Sequence, residues 1–274
     1  LRDPQEQLEL EHPQAKYLGN NILPNGLEGT ANDLKGQPKP IVYGKVRNAE
    51  PFLVNSVQYI YEVHDFNSHT DCDVEVISVY DNGVLIIHHD HYLTEAEFLA
   101  AVVPASKYAT YEGYFKLGIA PTGQVTCDVD SDIFLLGDVF EHIAENAGYT
   151  VNASDVLAFN AFGDVGIYLT TTRNTSSMLD LIMQSVGGYW VFAPNGEIRL
   201  KQLIAPTTPT IFIEDFSIIN ISRDRTGAGQ NGLPVYEVRL KADKVETVQT
   251  DLPDGSADAF RARVSVDFRE AIST

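Results

Sequence analysis

EVISVYDNGVLIIHHDHY, residues 75–92, carries the strongest local signal in the chain. Two runs rich in β-branched and aromatic residues flank Asn82-Gly83. Both turn residues tolerate the positive φ angles of a two-residue turn, so the stretch reads as a β-hairpin. It ends on His88, His89, Asp90 and His91, and His64, His69, Asp71 and Cys72 lie a short way upstream. The same residues therefore raise the question of a metal site.

The pattern around this hairpin is also β. IVYGKVR (41–47) and QYIYEVH (58–64) alternate apolar and polar residues, the period of a half-buried strand. GYFKLG (113–118) and GQVTCDV (123–129) read as two more strands around Pro121-Thr122. Before them, after the hairpin, TEAEFLAAVV (94–103) reads as a short helix, with Thr94 and Glu97 spaced as a capping box. From Asp132 the period changes. Leu136, Val139, Phe140, Ile143 and Ala147 recur at helical spacing, with Asp132 as N-cap and Gly148 as C-cap. A second helix is expected over Ser177–Val186, stopping at Gly187-Gly188. YWVFAP, Asn195-Gly196 and EIRLKQL then form a second hairpin. IFIED (211–215), FSIINIS (216–222), VYEVRLKA (235–242) and FRARVSVDF (260–268) return to strand patterns.

The expected fold class is α+β and β-rich. Barrel-like or sandwich-like antiparallel strands carry a small two-helix plus hairpin α/β unit. The expected divisions are an irregular arm over 1–40, a β-rich domain over 41–130, the α/β unit over 131–205 and a C-terminal β segment over 206–274 that packs with the first β domain. The arm is rich in Gly, Asn and Pro and is expected to need a partner surface. The chain opens on Leu1 and reads as one portion of a longer polypeptide.

Composition narrows the function. Lys and Arg total 19 against 38 Asp and Glu, a net charge of −19. Such a chain repels phosphate backbones, which argues against a nucleic-acid partner. No run approaches the ~20 apolar residues of a membrane helix. Cys72 and Cys127 are the only cysteines. They are too few for a disulfide framework and wrongly spaced for a zinc ribbon, and read as reduced core thiols.

Each chemical motif has a plainer reading. On a strand, His89 and His91 share one face while His88 and Asp90 share the other. A zinc site would thus need further ligands from His64–Cys72. The plainer reading is a solvated strand end leading into the Thr94 cap. DVDSD (128–132) opens like a calcium loop, but Ile133 and Val139 stand where Gly and Glu are required. GAGQNG (227–232) fits the dinucleotide fingerprint, yet a strand pattern follows it instead of a helix. A glycosidase pair, Asp71 with Asp73 or Glu75, has no supporting context. Trp190 with the tyrosines offers a sugar platform, or else an aromatic strand facing the preceding helix. No catalytic residue, cofactor-binding residue or metal ligand is assigned from the sequence. The chain is not expected to be an enzyme.

The order of motifs carries a resemblance. LEGT and LKGQPKP (27–40), YGKVRN (43–48), IYEVHD (60–65), VYDNGV (79–84), YATYEGYFKLGIAPTGQVTCDV (108–129), SSMLDLIMQSVGGYWVFAPNGEIRL (176–200) and VYEVRLKADKVETVQ (235–249) are all involved. Together they resemble tail proteins of long-tailed phages and prophages, over roughly residues 17–250. IIHHDHY falls in a stretch that varies in that family, so the resemblance gives His88, His89 and His91 no role and supplies no catalytic residue. It implies a tail-tip or baseplate hub-like virion component acting in assembly and host attachment or penetration. Expected partners are other tail proteins, copies of itself in a homotrimer, and the host cell surface. A carbohydrate- or surface-binding module is the alternative. A metal-dependent hydrolase using the His64–His91 cluster is a third reading.

Overall fold

A computed structural model describes residues 11–22, 24–69, 71–203 and 238–273. The fold is mixed α+β and dominated by one curled sheet, a half-barrel. Its strands are β1 (Ile41–Ala49), β2 (Phe52–Asn55), β3 (Ile60–Glu62), β4 (Val74–Asp81), β5 (Val84–His91), β6 (Lys107–Tyr111), β7 (Tyr114–Leu117), β8 (Val125–Ser131) and β9 (Gly166–Leu169). They lie in the order β2-β3-β7-β6-β5-β4-β8-β1-β9. Helix α1 (Glu95–Ala100) crosses from β5 to β6. That crossover makes β5 and β6 parallel, where antiparallel strands were expected.

The hairpin forms as read. β4 and β5 pair through Asp81 and Val84, and Asn82 and Gly83 adopt φ 50° and 76°. α1 is capped by Thr94, whose hydroxyl oxygen accepts from the Glu97 amide and donates to the Glu97 carboxylate.

β1 organises the rest, because it is buried on both faces. Ile41 and Tyr43 join the core of the α/β unit. Val42 and Val46 join the sheet's own core, with Val63, Val79, Phe115, Cys127 and Val129. The α/β unit contains α2 (Leu136–Asn146), α3 (Ala153–Asn160), α4 (Thr175–Ser185) and the hairpin β10 (Gly188–Phe192) and β11 (Ile198–Gln202). α3 and β9 were not foreseen. α3 has little segregation of apolar residues, but Asn152 caps it by accepting from the Asp155 amide. Asp132 does not cap α2. The helix starts later, at Leu136, without a side-chain cap. Asn160 instead accepts from the Asp138 amide at 3.0 Å. Trp190 is half-buried, and its indole donates to Asp180 of α4. The strand thus faces the preceding helix.

The described residues of 11–40 form no regular strand or helix, only isolated bridges. Their cover comes from this chain. Tyr17, Leu27 and Leu34 pack with Val54, Ile60, Phe98 and Tyr114. Beneath them Glu62 is fully buried and accepts from the Tyr114 hydroxyl at 2.8 Å, while its second oxygen has no partner. Burial raises its carboxyl to a pKa of about 8. The folded state thus binds the proton more tightly than the unfolded chain. Its contribution to stability is full below pH ~4.5 and is lost as pH rises through about 8. Glu62→Gln removes this dependence. From pH 5.5 to 9 the wild type should lose about 2 kcal/mol or more relative to the variant, at 1.4 kcal/mol per pH unit. Parallel stability curves for the two proteins in urea would refute this.

The C-terminal part departs from expectation. FRARVSVDF does not form a strand; Asp258–Val264 is helix α5. Phe260 and Val264, four residues apart, are its buried residues. Asp258 in the first turn and Arg261 and Arg263 in the last suit the helix dipole. α5 packs on the main sheet, with Phe260 on Tyr80 at 4.2 Å between rings. Strands β12 (Val238–Ala242) and β13 (Arg269–Ser273) pair separately. The strands expected at 211–222 and the GAGQNG stretch at 227–232 lie outside the described residues. No helix among the described residues is long and apolar enough to cross a membrane.

Candidate metal centre

The histidines divide into two groups. His88, His89, Asp90 and His91 are exposed on β5. A β-bulge between His88 and Asp90 breaks the alternation. As a result His88 and His91 converge, in place of the expected His89 and His91. Their ring nitrogens lie 3.3 and 3.0 Å from the Thr110 hydroxyl. They line an open cleft with Asp73, Glu75, Asp130 and Asp132.

The DVDSD carboxylates are largely occupied. Asp128 takes a two-pronged ion pair from Arg263 at 2.8 and 3.1 Å. Asp130 pairs with Arg47. Asp132 is exposed. Cys72 and Cys127 are buried free thiols, and Cys72 lies 3.0 Å from the Ser131 hydroxyl.

The upstream residues come together somewhere else. The turn after β3 carries His64 and His69 into the interior, against Tyr43 of β1 and His142 of α2. His12 joins from the N-terminal segment. It stacks on His69 at 6.4 Å between centroids and lies 2.8 Å from the Tyr43 hydroxyl. Asp71 stands at the mouth, its carboxylate 3.6 Å from His142 Nδ1. His69, Asp71 and His142 each offer one ligand atom within 4.8 Å of the others. Among the described residues this is the group of three or more that could hold a metal ion, and it includes neither His88, His89 nor His91.

Electrostatics favours neutral rings at His12, His64 and His69. Burial, then the neighbouring His69, hold His64 down to about 3 and His12 to about 4. Burial also lowers His69. His64 Nδ1 accepts from the Val42 amide at 3.1 Å, which places its proton on Nε2. A neutral imidazole has a free lone pair, the form that binds transition metals.

His64, His69 and Asp71 were visible in the sequence as a loose group. His12 and His142 were not, because the fold brings them in from distant segments. The available signal was an imidazole beside the apolar stripe of α2. Asp71, Asp73 and Glu75 divide between the two surroundings, so the carboxylate pairs considered for glycoside hydrolysis gain no common site. No family model, curated protein or solved structure matches the chain.

Proposed function

We propose that the chain is a structural component of a bacteriophage or prophage tail, a tail-tip or hub-like piece that acts in assembly and in host attachment or penetration, without catalysis. The resemblance over roughly residues 17–250 motivates this reading. One observation carries it further. β5 lies inside the sheet, not at its edge, yet Leu85 and Ile87 on one face are 58% and 64% exposed. Tyr80, opposite Leu85, is covered by Phe260 of α5. The cover ends one strand short. Exposed apolar positions at the middle of a sheet fit a protein whose last layer is supplied by assembly.

Antibodies against the chain should label one end of the tail on particles of the phage or prophage that encodes it. Purified particles without label would overturn the reading. Native mass spectrometry should also show the tag-free chain self-associating, with a trimer as the expected form. Leu85→Glu combined with Ile87→Glu should leave monomers. A double variant that associates like the wild type would remove this face from the argument.

A further inference from the structure

We propose that His69, Asp71 and His142 bind one divalent first-row transition ion, for which zinc is the probe, and that the ion ties the turn between β3 and β4 to helix α2. This site is independent of the tail reading.

The donor set is two imidazole nitrogens and a carboxylate oxygen, the usual nitrogen and oxygen ligands of such ions. Geometry is close to what is needed. Metal–ligand bonds of ~2.0–2.1 Å in a tetrahedron put ligand atoms about 3.4 Å apart. His142 Nδ1 and Asp71 Oδ2 already lie at 3.6 Å, and no pair in the group exceeds 4.8 Å. Closing the remainder takes about 1 Å of side-chain movement. Asp71 can supply it, because its side chain is 62% exposed. The same exposure gives an ion its way in.

The decisive observation is a deficit of partners. His69 and His142 are only 4% and 8% exposed. Nevertheless both ring nitrogens of His69 and Nε2 of His142 are buried without a hydrogen-bond partner. A histidine retained for packing would satisfy at least one nitrogen with a carbonyl or hydroxyl, since an unpaired buried polar group is costly. An ion at the centre of the group satisfies one of the two unpaired nitrogens of His69 and takes Nδ1 of His142, whose Nε2 then carries the proton. Buried Asp65, whose carboxylate oxygens accept no hydrogen bond although Lys39 Nζ lies 3.9 Å from one of them, acts electrostatically on His69. His64 is excluded as a ligand by its hydrogen bond from Val42, which commits its free lone pair.

The ligands also explain what an ion would do. His69 and Asp71 lie in an irregular turn, and His142 lies on α2, whose apolar face belongs to the other core. An ion held by both joins two parts otherwise connected here through Tyr43. Metal binding to the folded chain alone then appears as stability.

The test uses the tag-free chain stripped of metal and titrated with zinc. One zinc per chain is expected by native mass spectrometry. At free zinc a hundredfold over Kd, Tm should rise by roughly 5 °C. Asp71→Asn alters an exposed side chain and should leave the zinc-free fold intact while weakening binding by about tenfold or more. The combined variant His88→Ala, His89→Ala and His91→Ala should bind as the wild type does. Absence of stoichiometric zinc, unchanged binding by Asp71→Asn, or loss of binding in the triple variant would each overturn the proposal. The last result would place the ion on β5.

Discussion

Asp128→Ala is expected to destabilise the protein by about 3–5 kcal/mol, the range for breaking a buried ion pair from one side. Asp128 serves four groups at once. It accepts from the Asn48 amide at 2.9 Å, from the Tyr80 hydroxyl at 3.2 Å and from two nitrogens of Arg263. Its removal leaves each of them short of an acceptor in a place water reaches poorly. Arg263 also lies over the Phe260 ring at 5.1 Å, so the loss loosens the seat of α5 on β4 and β8. Asp128→Asn keeps an acceptor for the Asn48 amide and should cost less than half as much. The midpoint of urea unfolding measures both. Equal losses for Ala and Asn would mean that charge alone matters and that the shared acceptor does not. Proteolysis within 250–256 should accelerate in the Ala variant and give a second, local readout.

Gly44→Ala should cost about 3 kcal/mol or more, by a different route. Gly44 has φ +71°, and a Cβ built on it would meet the Val165 carbonyl oxygen at 1.9 Å. That oxygen accepts from the Lys45 amide at 2.9 Å, so it cannot withdraw without breaking the link between β1 and β9. Opposite it in the register stands Gly166, whose own Cβ would lie 2.0 Å from the Lys45 carbonyl. The two glycines let the strands approach more closely than side chains permit. Gly148 makes the control. It too has positive φ, at +86°, but open space around the missing Cβ. Gly148→Ala should therefore cost only the backbone strain, about 1 kcal/mol. If the two variants lose equal stability, the close approach of β1 and β9 carries no energetic weight.

The sequence was readable where one short segment contains the whole cause of its structure. Asn82-Gly83 between β-branched runs specifies the hairpin without help. The apolar spacing over Leu136–Ile143 specifies α2, and Thr94 with Glu97 specifies the start of α1. Reading failed where a distant partner decides. FRARVSVDF satisfies a period of two as well as a spacing of four, and it is the contact of Phe260 with Tyr80 that selects the helix. The bulge in β5 cannot be inferred from HHDH, because it arises from the pairing with β6, and it changes which histidines meet. Asp132 has the chemistry of a cap, but the helix begins past its reach. The candidate metal centre is the extreme case. His69 and Asp71 are neighbours in sequence, whereas His142 joins them only after β1 has brought α2 against the turn.

β1 spends both of its faces on different cores, and this binds the fate of the two halves together. Peeling the α/β unit away bares Ile41 and Tyr43, while opening the half-barrel bares Val42 and Val46 of the same nine-residue strand. Neither half can melt while the other keeps its strand fully covered. Partial opening is thereby penalised from two sides, which is the condition for a single all-or-none transition in place of two successive ones. The amides of β1 then exchange with solvent only when the whole molecule comes apart.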